Sequence, residues 1–226
     1  MNIKSQIPNT ITLLNLFCGC IALVFVSKLN FEMAFYFVCL GIFFDFFDGF
    51  FARLFKVSSP LGLQLDSLAD MITSGVVPGF VLFQMLASLH TGNEILPYIG
   101  FLVTIGACYR LANFNIDTRQ TDSFIGLPTP ANALFVISLP LISENFIHFN
   151  VPILISIVIA STLVMNAEIP LFSLKVKTFD LKKNLVPVFF LVAAVFLISI
   201  FRFLGVALVI LMYVLFSAGL NFFRKK

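Results

Sequence analysis

The sequence predicts an all-α, polytopic membrane protein, and composition, segment length and charge placement each favour that fold class. Of 226 residues, 60% are hydrophobic and 11% are charged, with a mean hydropathy of +1.05. Soluble domains rarely have this balance. A net charge of +3 without a basic stripe excludes a nucleic-acid ligand. The chain is therefore expected to have the lipid bilayer as its solvent.

Eight apolar segments have about the length that a helix needs to cross a hydrocarbon core of roughly 30 Å. They cover residues 10–27, 31–55, 64–89, 95–115, 127–145, 150–167, 185–200 and 204–222. The last two come from one apolar run, Leu185 to Phe223, which is too long for a single helix and contains Arg202 near its middle. We expect a single integral membrane domain over residues 1–226.

Orientation follows from the lysines and arginines, because cytoplasmic connections collect them. With eight spans and a cytoplasmic N-terminus, only Lys28 and Arg202 fall on the far side. The other cations fall on the cytoplasmic side: Lys4, Arg53, Lys56, Arg110, Arg119, Lys175, Lys177, Lys182, Lys183, Arg224, Lys225 and Lys226. We therefore expect both termini, and any polar site near those connections, to face the cytoplasm.

Four aspartates interrupt the second and third segments, where carboxylates are costly and usually functional. Asp45 and Asp48 are three residues apart, and Asp66 and Asp70 are four apart, so each pair lies on one face of its helix. Facing carboxylates in a low dielectric repel unless cations lie between them. Hard divalent cations suit an all-oxygen ligand set, and four acids suit two ions that hold a pyrophosphate.

Small residues and one arginine accompany the acids. Gly49 and Gly62 leave room either for a ligand or for close helix packing. Ala52 lies on the acid face of the second helix. Arg53 suits either a phosphate contact or an interfacial position with its head group in water.

Together these residues form the pattern Asp45-x2-Asp48-Gly49-x2-Ala52-Arg53-x8-Gly62-x3-Asp66-x3-Asp70. The pattern resembles the complete signature of the CDP-alcohol phosphatidyltransferase family. The resemblance implies a core of six helices within about residues 1–167, a CDP-activated lipid donor, and two metal ions (Mg²⁺ or Mn²⁺) held by the four acids. Residues 185–223 would then add about two transmembrane helices, and a homodimer is an expected assembly because dimers are common in the family.

The resemblance also implies roles for individual residues. Asp70 would be the general base. Nucleotide or phosphate contacts would fall to residues near the start of the first span and within the signature: Asn9, Thr12, Gly49, Ala52, Arg53 and Gly62. For Thr12, the start of the first span also suits a helix N-cap.

Flanking segments resemble the branch of the family whose acceptor is L-serine, with CDP-diacylglycerol as donor. They are residues 7–12 together with Asn15 and Gly19, and residues 65–70, 109–115 and 124–131. Arg110, Asn113 and Asn115 are the expected acceptor contacts, Arg110 with the serine carboxylate, although an interfacial arginine is the alternative. Asn113 stands where that branch usually has a second arginine. The expected products are phosphatidylserine and CMP.

Three other functions also fit parts of this pattern. Glycerol 3-phosphate or inositol phosphate would bring a further phosphate and need more basic residues than the chain supplies near the acids. A cation channel or proton-coupled transporter would also use buried carboxylates. It would not explain why all four cluster at one end of two adjacent spans. A scaffold that pairs the acids with Arg53 and Lys56 leaves two acids without a cation.

Overall fold

The computed structural model describes residues 3–57, 59–117, 125–142, 144–171 and 185–224. These residues form the α-helices α1 (Ile3–Ser27), α2 (Phe31–Phe55), α3 (Pro60–Asp70), α4 (Val77–Ala87), α5 (Leu102–Ile116), α6 (Thr129–Ser138) and α7 (Val151–Asn166), and a helical segment α8 (Leu185–Arg224) that is interrupted at Arg202. No strand is present among the described residues, where one isolated bridge joins Ile125 and Pro170. The predicted all-α fold is confirmed.

Polar caps set several helix starts. The Asn30 side chain accepts a hydrogen bond from the Met33 amide, and the Ser59 hydroxyl accepts one from the Gly62 amide. Pro60 follows Ser59 at the first position of α3, where a missing N–H costs nothing. Because α3 begins immediately after the connection from α2, the two acid-bearing helices are held side by side.

Five described segments are long and apolar enough to cross a membrane: Gln6–Ser27, Phe31–Phe55, Pro60–Ala87, Leu96–Ile116 and Val188–Gly219. Thr129–Leu141 and Val151–Asn166 are shorter apolar helices. Each of the eight predicted segments coincides with one of these regions, and the chain is a multi-pass membrane protein. The predicted start at residue 10 is late, because α1 already begins at Ile3 and continues through Pro8.

The third segment is continuous from Pro60 to Ala87 but not uniform. A π-helix, Met71–Val76, joins α3 to α4 and begins directly after Asp70. Pro78 has no N–H for the ordinary ladder, so the regular α-helix cannot run unchanged through this point. Short π-helical segments within α-helices are frequent at functional sites.

The last segment folds back on itself at Arg202. Arg202 has φ 49° and ψ −118°, which is not helical. The rings of Phe190 and Tyr213 lie 5.6 Å apart, whereas residues this far apart along a straight helix would be separated by roughly 34 Å at 1.5 Å per residue. A side chain at Gly205 would collide with the Leu197 carbonyl across the turn. The predicted division at Arg202 is therefore confirmed.

Helix α2 shows how the bundle separates lipid from the site. Four of its large side chains are exposed on one face, namely Phe43, Phe46, Phe50 and Leu54. Asp45, Asp48 and Ala52 occupy the opposite face by the helical repeat. Buried aliphatic side chains from α1, α2 and α4 to α7 form the core, including Val26, Val38, Val81, Val103, Ile137 and Val158. The acids thus point into the bundle and the phenylalanines toward lipid.

Candidate active site

The aspartates of α2 and α3 meet between the two helices. Carboxylate oxygens of Asp45, Asp48 and Asp66 all lie within 4.8 Å of one another. Asp66 and Asp70 are both close enough to Asp45 for their charges to act on its carboxyl. Asp48 and Asp70 are 7% and 8% exposed, so two of the four acids are buried. The structure therefore brings together the pairs that the sequence spacing placed on separate helix faces.

The donor set of this cluster fits a hard divalent cation. Its atoms are carboxylate oxygens, the ligands that Mg²⁺, Mn²⁺ and Ca²⁺ prefer. Among the residues that the structure describes, no lysine or arginine forms a salt bridge with any of the four acids. Bringing such acids together without a counter-charge is unfavourable at low dielectric. The cluster could therefore hold a metal ion. The scaffold interpretation is not supported, because the ion pairs that it requires with Arg53 and Lys56 are not formed among the described residues.

Helix α1 contributes a hydroxyl to this cluster. Thr12 Oγ1 lies 2.5 Å from Asp48 Oδ2 and 3.0 Å from the Pro8 carbonyl oxygen. A hydroxyl has one proton to donate, and the shorter contact to the carboxylate takes it. Thr12 lies in the interior of α1, so the N-cap interpretation is wrong.

A second side chain of α1 contacts the remaining acid. Asn15 Nδ2 donates a hydrogen bond of 3.1 Å to Asp70 Oδ1, and both side chains are buried. The Asn15 backbone carbonyl accepts a 3.1 Å bond from Thr73 Oγ1 in the π-helix. Sequence reasoning noticed Asn15 only as part of a resemblance and missed Thr73, since contacts between distant helices leave no mark in local spacing.

A cavity of about 230 Å³ opens beside the cluster. Its lining includes five of the six residues predicted to contact the nucleotide or phosphates, together with two of the acids: Asn9, Thr12, Asp48, Gly49, Ala52, Gly62 and Asp66. A Cβ at Gly62 would lie 3.1 Å from Ser59 Oγ and 3.2 Å from Asn9 Oδ1, so a larger residue would intrude here. The glycines thus serve the cavity as well as close packing.

Arg53 lies at the edge of this cavity rather than in its lining. Its side chain is exposed, and its guanidinium nitrogens are 4.0 Å from where a Gly49 Cβ would be. An exposed, unpaired guanidinium beside the cavity remains available to a phosphate. Both interpretations of Arg53 stay open on this geometry.

The predicted acceptor residues divide between two places. Arg110 and Asn113 line a separate polar cavity of about 330 Å³, with Asp117, Asn166 and Glu168 among the other lining residues. Arg110 is buried, and one of its contacts is a 3.3 Å bond that Nη2 donates to the Gly126 carbonyl. Burial and this bond argue against a simple interfacial position.

Asn115 faces the acid helix instead. Its Nδ2 donates a 2.8 Å hydrogen bond to Ser67 Oγ, between Asp66 and Asp70 in sequence. Ser67 is a site neighbour that sequence reasoning did not single out. Helix α5 therefore has one polar side chain toward the acids and two toward the second cavity.

A bundle of apolar helices with a carboxylate cluster beside a polar cavity defines an integral membrane protein with a candidate metal-dependent site. The sequence profile of the CDP-alcohol phosphatidyltransferase family matches residues 5–173, most of the chain. The chain belongs to that family, and the prediction made from the eight-position signature is confirmed. The matched region contains the acid cluster and the cavity.

Several curated relatives share the same printed name, CDP-diacylglycerol–serine O-phosphatidyltransferase. The Bacillus subtilis protein is 38% identical over 130 residues, which cover 56% of this chain and 70% of that protein. The Helicobacter pylori protein of strain 26695 is 35% identical over 144 residues, 63% of this chain and 60% of its own. A Methanocaldococcus jannaschii relative is 31% identical over 156 residues, 69% of this chain and 71% of its own. The chain thus matches about two thirds of these relatives.

Proposed function

We propose that this chain transfers the phosphatidyl group of CDP-diacylglycerol to the hydroxyl of L-serine, giving phosphatidylserine and CMP. The observation that carries the proposal is the convergence of Asp45, Asp48 and Asp66 beside a cavity that three further signature residues line, namely Gly49, Ala52 and Gly62. Serine as the acceptor is supported by the names of relatives from bacteria and an archaeon.

Donor binding is assigned to the first cavity. Asn9, Gly49, Ala52 and Gly62 leave space beside the acids for the CDP head group, with Arg53 at its edge for a phosphate. The acyl chains would stay in the bilayer, since the surrounding helices are apolar. This arrangement separates the water-soluble half of the donor from its lipid half.

The cofactor is proposed to be two Mg²⁺ or Mn²⁺ ions per site, held by Asp45, Asp48, Asp66 and Asp70. When bound, such ions neutralise charge on the pyrophosphate and on the departing CMP. Thr12 holds Asp48 through its hydroxyl, which fixes the direction of one carboxylate. The residues of α1 to α3 thus supply charge, orientation and shape together.

Asp70 is the proposed general base. It accepts the proton of the serine hydroxyl while the serine oxygen forms a bond to the lipid-side phosphorus. The bond between that phosphorus and the bridging oxygen breaks, and CMP leaves with the bonding electron pair. A base must lie close to the proton it removes, and Asp70 is the acid held from behind by Asn15.

Acceptor binding is assigned to Arg110, Asn113 and Asn115. Arg110 and Asn113 lie in a cavity that also contains carboxylates of Asp117 and Glu168. Groups of both signs suit a zwitterion better than an acceptor with an extra phosphate. Asn115 reaches toward the acids from the same helix.

The proposal also includes cytoplasmic termini and a cytoplasmic active site, supported by the placement of cations. Several of the cations that carry the orientation argument lie outside the described residues, namely Arg119, Lys175, Lys177, Lys182, Lys183, Lys225 and Lys226. A homodimer is proposed from the family resemblance alone. Labelling of an Asn93→Cys variant tests the orientation, because residue 93 lies in the connection after α4. The introduced cysteine should be labelled from the non-cytoplasmic side only.

The experiment that tests the activity is an acceptor panel in reconstituted vesicles. Purified chain receives CDP-diacylglycerol and Mn²⁺ or Mg²⁺, with serine, glycerol 3-phosphate or inositol phosphate in separate reactions. CMP and phosphatidylserine should form together with serine. CMP that forms only with a phosphorylated acceptor would move the chain to another branch of the family, and no CMP with any acceptor would exclude the enzymatic activity.

A further inference from the structure

Asn15 is among the least exposed polar side chains in the described structure, although it lies in a membrane-spanning helix. Its exposed fraction is 0%, and it lines neither polar cavity. Its side-chain amide nevertheless donates to Asp70, the proposed base, over 3.1 Å. A buried polar group at this depth is costly and calls for a reason.

The surroundings of Asn15 hold its amide in one place. A Cβ at Gly41 of α2 would come within 2.8 Å of Asn15 Oδ1, so only glycine lets α2 approach this closely. Thr73 Oγ1, in the π-helix, donates to the Asn15 backbone carbonyl. A Cβ at Gly19 would in turn press on that hydroxyl. Helices α1 and α2 and the π-helix therefore pack around the side-chain amide of Asn15.

The direction of the amide follows from its partner. A carboxylate offers only acceptors, so the NH₂ group must face Asp70. The other end of the amide, Oδ1, is then buried without a hydrogen-bond partner among the described residues. An unsatisfied buried acceptor is a cost that stability alone does not explain. The orientation that leaves Oδ1 unsatisfied is the one that allows the hydrogen bond to Asp70.

We propose that Asn15 is a positioning residue that orients Asp70 for proton transfer. By donating to Oδ1, Asn15 fixes the plane of the Asp70 carboxyl and thereby the position of the oxygen that accepts the proton. The bond from Thr73 to Asn15 ties the π-helix that follows Asp70 to the same anchor, so α1 fixes both the carboxylate and the backbone that carries it. This inference rests on the proposed role of Asp70.

The main test is Asn15→Leu, which removes the N–H and keeps the branched shape and the number of heavy atoms of the side chain. Asn132→Leu is the matched control, because Asn132 is also 0% exposed and neither of its side-chain polar atoms has a partner. CMP release by purified protein in vesicles gives kcat, KM for CDP-diacylglycerol and the Mn²⁺ concentration for half-maximal rate. A misplaced reacting group commonly costs up to about 100-fold in rate.

For Asn15→Leu we expect kcat to fall by about 10- to 100-fold, while KM and the Mn²⁺ requirement change by no more than about twofold. Asn132→Leu should leave all three parameters within about twofold of wild type. A wild-type kcat in Asn15→Leu overturns the proposal. So does a loss of rate that the control shares, because a purely structural role would affect both variants alike.

A double variant shows whether Asn15 acts through Asp70. In an Asp70→Asn background the added Asn15→Leu should lower the residual rate by no more than about twofold, since residues that act as a unit are not additive. Full additivity overturns the proposal.

If Asn15→Leu does not accumulate in membranes, Gly41→Ala provides the second variant. Its methyl group would press on Asn15 Oδ1, and we expect a smaller loss of kcat at constant KM. Gly219→Ala is its control, since no atom of the described residues lies within 4 Å of a Cβ at that position. An unchanged kcat in Gly41→Ala then overturns the inference. Absence of CMP release by the wild-type protein would instead refute the proposed function itself.

Discussion

The segments Pro60–Ala87 and Val188–Gly219 are both apolar and long enough to cross a membrane, yet they differ sharply in burial. In the most apolar part of each, 61% of residues are buried in the first and only 11% in the second. The first contains Asp66, Asp70, Thr73 and Ser74, and the second has Arg202 at its turn. Hydropathy identifies both as membrane spans, whereas the aspartates and the greater burial of the first segment distinguish it as the one at the site.

The difference in burial follows from the polar groups that each segment contains. Polar groups of the first segment contact α1 through Asn15, whereas large side chains of the second, such as Phe189 and Leu215, are exposed toward lipid. Lipid offers no hydrogen bonds, so a segment rich in polar groups must be surrounded by protein. We therefore assign catalysis to α1–α3 and the π-helix, and a supporting role to α8.

The largest loss of activity is expected for Asp70→Asn, in the first of these two segments. It keeps the shape of the side chain but removes its ability to accept a proton, and loss of a general base costs about 10²- to 10⁴-fold in rate. CMP release should fall by that factor, while binding of CDP-diacylglycerol, measured by equilibrium dialysis in detergent, stays close to wild type.

Glu94→Gln is the matched control for this variant, since Glu94 is an exposed acid outside the cluster. It should retain full activity. Wild-type turnover by Asp70→Asn would remove Asp70 from the role of base and would leave the acid cluster with a metal-binding role alone.

The next largest effect is expected at Gly62, where a side chain would enter the donor cavity. Gly62→Leu places bulk near Asn9 Oδ1 and Ser59 Oγ, and overpacking of this kind costs about 1–3 kcal/mol. We expect KM for CDP-diacylglycerol to rise about 5- to 140-fold, which is that cost converted at 1.4 kcal/mol per factor of ten. The serine KM should change little. An unchanged donor KM would place the nucleotide elsewhere.

The smallest effect is expected in the second segment. Gly205→Ala introduces a methyl group that would collide with the Leu197 carbonyl at the hairpin turn, so the thermal midpoint in detergent should decrease. The kcat per folded molecule should remain at the wild-type value. Phe189→Leu, at a side chain that is 73% exposed, should change neither quantity. A specific loss of kcat in Gly205→Ala would give α8 a catalytic role and contradict the comparison.

Much of the fold and part of the site could be predicted from sequence, because both follow from local periodicity. The length of apolar runs defined the spans, and the spacings of Asp45, Asp48, Asp66 and Asp70 defined two acid faces. Arg202 marked the turn within the last segment because a charge near the middle of an apolar run is costly.

The remaining site features depend on contacts between residues that are distant in sequence. Thr12 meets Asp48 across 36 positions and Thr73 meets Asn15 across 58. No spacing rule encodes such pairs, since they are set by how closely the helices pack. The glycines at positions 19 and 41 permit that packing, but in sequence they resemble ordinary small residues of membrane helices.

We propose that the acids between α2 and α3 support divalent-metal-dependent transfer from CDP-diacylglycerol to serine. The most direct measurement is CMP release in vesicles with serine, first with EDTA and then after Mn²⁺ or Mg²⁺ is restored, for wild type and Asp48→Asn side by side. Wild type should lose activity with EDTA and regain it with metal, with one phosphatidylserine formed per CMP, whereas Asp48→Asn should not recover at the same metal concentration. CMP release that persists in EDTA, or full recovery of Asp48→Asn, would contradict the account.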